Sequence, residues 1–380
     1  MGGLLTHGQR PPIRFKSLTS EKTPAEWLAS TEAVAVADTV VKYQFPSGGW
    51  SKNIDWNLPP EGSQLKARQE AWRQIHSKNG VGSTIDNGAT TSEMKYLAMV
   101  YEALGNKELV GKQISAKRVK LLRQSYRAAF LKGVDYLLEA QYDNGGWPQF
   151  YPKKPLNSEG HPFYSDHITF NDNAMVNVLK MIRDMAEDRK SFYRAINIPA
   201  ETKARLAAAF DKGIECILNC QIKKNGKLTV WCQQHDEKTL EPAPARSYEL
   251  ASFNGSHETP ELLQLLMSLP EPNDRVVEAV SSAVAWLEAH ALKDVRQESF
   301  VNVDGKRDRR LVHHFGSKTW ARYYDLETEE PYVCDRDGVK QPSLEYIGYE
   351  RRNGYGWYST APQEVIDAFP EWLRRVRSQP

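Results

Sequence analysis

Three stretches of the chain space their apolar residues three and four apart and then stop in the same way. Trp27 to Tyr43 runs into Gln44-Phe-Pro-Ser-Gly48-Gly49-Trp50, and Leu122 to Ala140 into Gln141-Tyr-Asp-Asn-Gly145-Gly146-Trp147. Ala200 to Cys220 runs into Gln221, then Asn225-Gly226 and Trp231, a looser copy. The spacing of Val134, Leu137 and Leu138, and of Ile214, Ile217 and Leu218, predicts amphipathic helices. The Asn and Gly that follow tolerate the left-handed cap on which helices end.

A second mark opens the next helix of each copy. Asp86-Asn87-Gly88-Ala89 precedes a helix through Leu104, Asp172-Asn173-Ala174-Met175 one through Met185, and Asn254-Gly255 one around Leu262 to Met267. The three marks stand at nearly constant spacing, which predicts repeated two-helix units, each too small to bury its own apolar face. Three such units make an (α/α)3 toroid with its loops gathered at the ends. From Phe300 to Tyr358 the helical period fades among Gly, Asp, Arg and aromatic residues, so an irregular, loop-rich second portion is expected, of the kind that carries function. No linker divides the chain. Residues 1–24, with the pair Pro11-Pro12, read as an N-terminal extension, and 25–380 as a single domain.

Composition narrows the function. Lys and Arg number 50 against 48 Asp and Glu, so global charge gives no reason to expect nucleic acid as a partner. No apolar run is long enough for a membrane helix, so no membrane partner is expected either. Cys216 and Cys220 lie four apart on an apolar helix and no Cys-x-x-Cys occurs, which favours buried thiols over a metal knuckle. Met1-Gly2-Gly3-Leu4-Leu5 lacks the basic and apolar regions of an export signal.

Repetition would bring Asp86, Asn87 and Asp172 to one end of the ring. Taken singly, each is an ordinary N-cap residue. Together they form an oxygen-only set, suited to a hard cation such as Ca²⁺ and small enough to leave positions for water or substrate carboxylates. His235-Asp236 has the look of an acid/base pair, but no Ser or Cys nucleophile sits at a recognisable elbow, and a structural histidine is the simpler reading. Arg246 follows Pro242 and Pro244, which hold the chain extended before it. Arg322 and Arg336 fall in the irregular portion; planar guanidinium forks there suit an anionic substrate.

With these residues in view, the chain resembles the family 10 pectate lyases. The matching stretches are Ser83-Thr-Ile-Asp86-Asn87-Gly-Ala-Thr, Asn144-Gly-Gly-Trp147-Pro-Gln-Phe-Tyr-Pro152 and Ile168-Thr-Phe-Asn-Asp172-Asn173-Ala-Met. Val230-Trp-Cys-Gln-Gln-His-Asp236 through Arg246-Ser-Tyr-Glu249, and Phe315-Gly-Ser-Lys-Thr-Trp-Ala-Arg322 through Arg336, complete an unbroken order over roughly residues 25 to 358. The resemblance implies an endo-acting, Ca²⁺-dependent β-elimination of polygalacturonate. Carried over by position, Asp86, Asn87 and Asp172 would handle the metal and carboxylate. Arg246 would be the base, and Arg322 and Arg336 would pair substrate carboxylates. Trp231 and Asp236 are expected to face the substrate with them. An arginine base requires a lowered pKa, from neighbouring cations and desolvation, or a high-pH optimum. A monomer is expected, secreted or periplasmic, with a cytoplasmic location left open.

Three rivals remain. An inverting glycoside hydrolase on the same ring would need an acid and a base carboxyl across the cleft, with Asp236 and Glu249 as candidates. The Gln…Trp marks are similar to those of triterpene cyclases, although the Asp-x-Asp-Asp motif is missing. A carbohydrate-binding module would explain the aromatics but not the density of loop Asp and Arg.

Overall fold

A computed structural model describes residues 15–52, 82–111, 114–153 and 164–378. Six helices form the (α/α)3 toroid. The outer ones are α1 (Thr31–Lys42), α3 (Ala116–Ala140) and α5 (Ala200–Cys220); the inner ones are α2 (Thr91–Ala103), α4 (Ala174–Ala186) and α6 (Glu258–Met267). Outer helix α3 buries one stripe, from Leu122 through Tyr126, Phe130 and Leu137. Inner helices α2 and α4 are buried on most of their surface, as expected of an interior wall. Helices α7 (Asp274–Ala289) and α9 (Ala361–Arg377) pack on α6 beyond the third pair. Residues 1–14 of the expected extension lie outside the described residues, whereas Phe15 packs edge-on against Tyr96 of α2 at 5.2 Å.

The repeated marks are joints. Gln44 Nε2 donates to Ala129 O of the next outer helix at 2.7 Å, Gln141 Nε2 to Ala209 O at 2.8 Å, and Gln221 Nε2 to Ala279 O at 2.9 Å. Each tryptophan returns to its own helix: Trp50 Nε1 to Val40 O, Trp147 to Leu137 O and Trp231 to Ile217 O, all at 2.7 Å. A fourth copy follows, Trp320 Nε1 to Leu287 O of α7 at 2.7 Å. The glycines permit the close approach. Gly48 and Gly145 have φ of +102° and +91°, and a Cβ would stand 2.3 and 2.0 Å from Lys132 O and Lys212 O.

The C-terminal third is more ordered than its sequence suggests. A long antiparallel hairpin joins β4 (Leu292–Val301) to β5 (Arg307–Ala321), slipping register between Lys293 and Val295. A four-stranded sheet combines β3 (Phe253–Asn254), β6 (Tyr323–Tyr324), β7 (Pro331–Cys334) and β8 (Lys340–Gln341), while β1 (Ile168–Thr169) and β2 (Gln234–His235) form a separate antiparallel pair. The short helix α8 (Tyr349–Gly354) and β9 (Tyr358–Ser359), paired to the end of β5, complete the portion. Mixed polar and apolar positions on half-exposed strands hide the period of two that would announce them.

Candidate active site

The N-terminal ends of all three inner helices meet at one cavity of about 720 Å³, where Asn87, Thr91, Asp172, Asn173, His257 and Glu258 contribute walls. Two tight turns lead into it, Asp86–Gly88 before α2 and Asn171–Asn173 before α4. Each holds its middle residue in the left-handed region, Asn87 at φ 53° and Asp172 at φ 51°. Asn and Asp are the non-glycine residues that best tolerate this conformation. By conformation, then, Asn87 corresponds to Asp172 and Asp86 to Asn171, one residue away from the pairing that spacing suggested. The middle residues face the cleft, and Asp86 and Asn171 are buried beneath them.

Asp86 Oδ2 accepts from the Lys52 ammonium. Its Oδ1 is buried and has no partner among the described residues. Asp172 keeps 41% of its side chain exposed, with Oδ1 3.8 Å from Arg322 Nη2. Desolvation in the cleft raises its carboxyl above the ordinary value; Arg322 opposes this, while Glu258 and Asp86 add to it.

Arg322 is buried at the end of β5. Its backbone is pinned on both sides, N–H to Trp357 O at 2.6 Å and O from Gly255 N at 3.0 Å. Its Nη2 donates to Glu258 and to Asn171 Oδ1, the latter at 2.9 Å, and its guanidinium lies 4.6 Å from the Tyr355 ring. Its Nε is a buried donor without a partner among the described residues. Burial would lower its pKa, but Glu258 and the surrounding acids hold it well above the usual arginine value. Burial, aided by the Arg322 charge, depresses His257 to about 3, so it stays neutral.

Arg246 and Glu249 occupy the first and last positions of a turn closed by Glu249 N to Arg246 O at 2.7 Å. The turn points both side chains the same way. Arg246 Nε and Nη2 grip the two Glu249 oxygens at 2.7 Å each, and Arg246 N adds a third bond at 3.1 Å. Desolvation works to lower the Arg246 pKa, but Glu249 overcomes it and the net direction is upward. The lowered value that a resting arginine base requires is therefore not found; Glu249, buried and unable to relax away, is the cause.

Arg246, Arg336 and Arg351 surround one ring, their guanidiniums 5.2, 5.6 and 4.5 Å from the centre of Tyr248. Arg336 is exposed and pairs with Glu350 at 3.1 Å; Arg351 is buried and pairs with the same carboxylate at 2.6 Å.

Two expected substrate residues are elsewhere. Trp231 is fully buried in the core as the third of the joint tryptophans, so no sugar can reach its ring. Asp236 closes its own turn, accepting from Lys238 N at 2.9 Å and Thr239 N at 2.8 Å. It lies with His167 and Glu237, their ligand atoms within 4.8 Å of one another. The first of these pairs with Glu237 at 3.3 Å, and Lys153 stands 3.9 Å from the same glutamate. A hydrolase built on Asp236 and Glu249 thus loses both candidates, since Glu249 is held by Arg246. His235 is structural: buried, its Nδ1 donates to Leu240 O at 2.8 Å and its Nε2 accepts from Cys232 N at 3.1 Å. All four cysteines are free and buried.

Sequence reasoning missed Lys52, Gln233, Glu258, Arg351 and Tyr355. One signal was available for two of them. The residue two places after each joint tryptophan is Lys52, Gln149, Gln233 or Arg322, and the structure turns Lys52 and Arg322 toward the two acidic turns.

A family model described as pectic acid lyase matches residues 44–366. The chain belongs to the pectic acid lyase family. It is similar to a family 10 polysaccharide lyase from Cellvibrio cellulosa, at 33% identity and a TM-score of 0.71 over 92% of this chain and 96% of that one. An aspartate-to-alanine mutant of that lyase, in complex with trigalacturonic acid, matches at 32% identity and a TM-score of 0.70 over 95% and 99%. No curated protein sequence matches the chain. The protein is a pectate lyase of family 10 with the (α/α)3 toroid of that group. Among the described residues, no helix is long and apolar enough to cross a membrane.

Proposed function

We propose that this pectate lyase cleaves polygalacturonate internally by Ca²⁺-dependent anti β-elimination, with Arg246 as the base and an unsaturated uronate left on the new non-reducing end. The observation that carries the reading is Arg322, held by Glu258 with its guanidinium 3.8 Å from the cleft-facing carboxylate of Asp172, a fixed cation beside the acidic turn where a substrate carboxylate would bind. The trigalacturonic acid in complex with the Cellvibrio relative supports an oligogalacturonate ligand.

Asp86, Asn87 and Asp172 would hold the calcium. The donor set is all oxygen, and the orphaned Asp86 Oδ1 is a buried acceptor that suits a cation. When bound, the ion would draw charge from the substrate carboxylate and make the C5 proton easier to remove. Arg322 supports the same carboxylate as charge builds on it, from a dry and already oriented position. Arg246 takes the C5 proton; the released electron pair forms the C4–C5 double bond, and O4 departs, gaining its proton from water. No nucleophile is required. In the free enzyme Glu249 keeps Arg246 a guanidinium, so its base form has to arise in the complex. Arg336 and Arg351 extend the cationic wall for neighbouring uronates. The enzyme acts as a secreted or periplasmic monomer.

The test is Arg246→Ala and Arg246→Lys, with turnover read from the ultraviolet absorbance of the unsaturated product and trigalacturonate affinity measured separately. Loss of general-base help predicts a fall in kcat of about 10²–10⁴-fold with affinity retained. Full turnover in the alanine variant removes Arg246 from the role.

A further inference from the structure

Arg246 does not orient itself. Glu249 is 1% exposed and receives four donors: Arg246 N and Nε on Oε2, Arg246 Nη2 on Oε1, and the Tyr355 hydroxyl on Oε1 at 2.9 Å. Tyr355 is the one donor of the four that does not belong to Arg246. Its hydroxyl also lies 2.5 Å from that of Tyr323, which in turn lies 2.7 Å from the Gln233 side chain. The Gln233 backbone O accepts from Phe170 N and Asn171 N, both at 2.9 Å, beside the Asp172 turn. A continuous chain of hydrogen bonds therefore joins Arg246 to the acidic side of the cleft.

Counting protons gives this chain a direction. Three gaps separate Gln233, Tyr323, Tyr355 and Glu249, and the two phenols supply two protons. An ionised Glu249 only accepts, so Tyr355 spends its proton there and Tyr323 must donate to Tyr355. With Gln233 Oε1 toward Tyr323, Tyr323 donates to it and has no proton left for the gap to Tyr355, and among the described residues Gln233 Nε2 is buried without a partner. Turning the amide over fills the gap and removes the orphan donor. Every proton then points toward Glu249, and bonds aligned in this way strengthen one another.

The Tyr355 ring does a second job. Its centre lies 4.6 Å from the Arg322 guanidinium and 5.7 Å from that of Arg351, with Tyr248 edge-on at 5.3 Å. Glu258, the carboxylate that accepts from Arg322, adds its negative charge nearby. The hydroxyl thus sets Arg246 through Glu249, while the ring abuts the arginine that faces Asp172. We propose that Tyr355 is a positioning residue of the elimination, holding Arg246 in place through Glu249, with Tyr323 and Gln233 orienting it as one directed chain. This rests on Arg246 being the base.

Tyr355→Phe keeps the ring packing and removes the hydroxyl. Because small misplacements of a reacting group cost up to about 100-fold, kcat is expected to fall about 10- to 100-fold, with KM within about twofold. With one donor fewer on Glu249, its charge falls more fully on Arg246 and makes the arginine's proton harder to lose, so the acid side of the kcat profile should move to higher pH. A general packing defect would instead scale the rate alike at every pH. Tyr323→Phe should act in the same direction but less, and the double variant should match Tyr355→Phe alone, as members of one chain do not add. An unchanged kcat, a loss without the pH shift, or multiplied losses in the double variant would overturn the proposal. Arg246→Ala, run alongside, separates the two readings. Turnover retained there removes the base itself. Turnover lost there, with an unmoved Tyr355→Phe profile, overturns this inference alone.

Discussion

The two sides of the cleft are made in different ways. The acidic side is one local piece used twice, a tight turn with a left-handed middle residue at the mouth of an inner helix, and it needs little beyond its own sequence. The basic side has no such unit. Arg246, Arg322, Arg336 and Arg351 come from four segments, and buried carboxylates and tyrosines bring them together: Glu249 for the first, Glu258 for the second, the Tyr248 ring for the rest. A repeated turn fixes where a residue stands; Arg246 too has its partner three residues away, but Arg322, Arg336 and Arg351 meet Glu258 and Tyr248 from far along the chain. Changes on the acidic side should therefore be local in effect, and those on the basic side should spread.

The largest effect expected on the acidic side is that of Asp172→Ala, which removes the cleft-facing carboxylate; kcat/KM should fall about 100-fold or more, since charge stabilisation of this kind contributes several kcal/mol. Asp86→Asn should act chiefly on the metal, raising the Ca²⁺ needed for half-maximal rate by about 10- to 100-fold, as seen in a calcium titration of initial rate. If both variants behaved like wild type, the turns would be scaffold and the contrast between the sides would disappear. On the basic side, Arg351→Ala should cost more than Arg336→Ala in kcat/KM and in melting temperature. Arg351 is 7% exposed and stacked on Tyr248, against 62% for Arg336, and exposed ion pairs contribute about 0–1 kcal/mol. Equal losses would place the two in one class.

Two smaller effects belong to the frame beneath both sides. Trp231→Phe removes the indole bond to Ile217 O, and a buried carbonyl left unpaired costs about 1–3 kcal/mol. The melting temperature should drop while KM for polygalacturonate stays put; a raised KM would return Trp231 to the substrate. His235 is depressed to about 4 by burial, below an unfolded value of about 6.5. The unfolded state then binds the proton first as pH falls, so this contribution is present above about pH 6.5 and is lost toward pH 4. Melting temperatures measured across that range should decline in acid, and less so in a His235→Gln variant that remains folded.

How much of this was legible follows the same division. The Gln…Trp and Asp-Asn marks announced the ring because each joint is local and occurs several times. The choice of which residue in a turn faces the cleft was not visible, since it depends on a single left-handed φ at Asn87 and Asp172. Trp231, already the third of the repeat marks, is expected from the sequence to face the substrate as well; that the mark is a buried joint shows only in its indole bond back to Ile217 O. Arg246, Arg322 and Arg336 could be picked out through the resemblance. Glu258 and Tyr355, which decide how Arg322 and Glu249 are held, carry no local signal, and Glu249 stands out beside Arg246 only as a carboxyl of the rival hydrolase. The hairpin from Leu292 to Ala321 was hidden because its half-exposed strands mix polar and apolar positions on both faces.

The elimination itself is open to one direct measurement: the ultraviolet absorbance of unsaturated product from polygalacturonate before chelation, after it, and with Ca²⁺ restored in excess. Conjugated product should form, cease with the chelator and return with the ion. Saturated ends in place of conjugated ones, or an undiminished rate in the chelator, would contradict a calcium-dependent lyase.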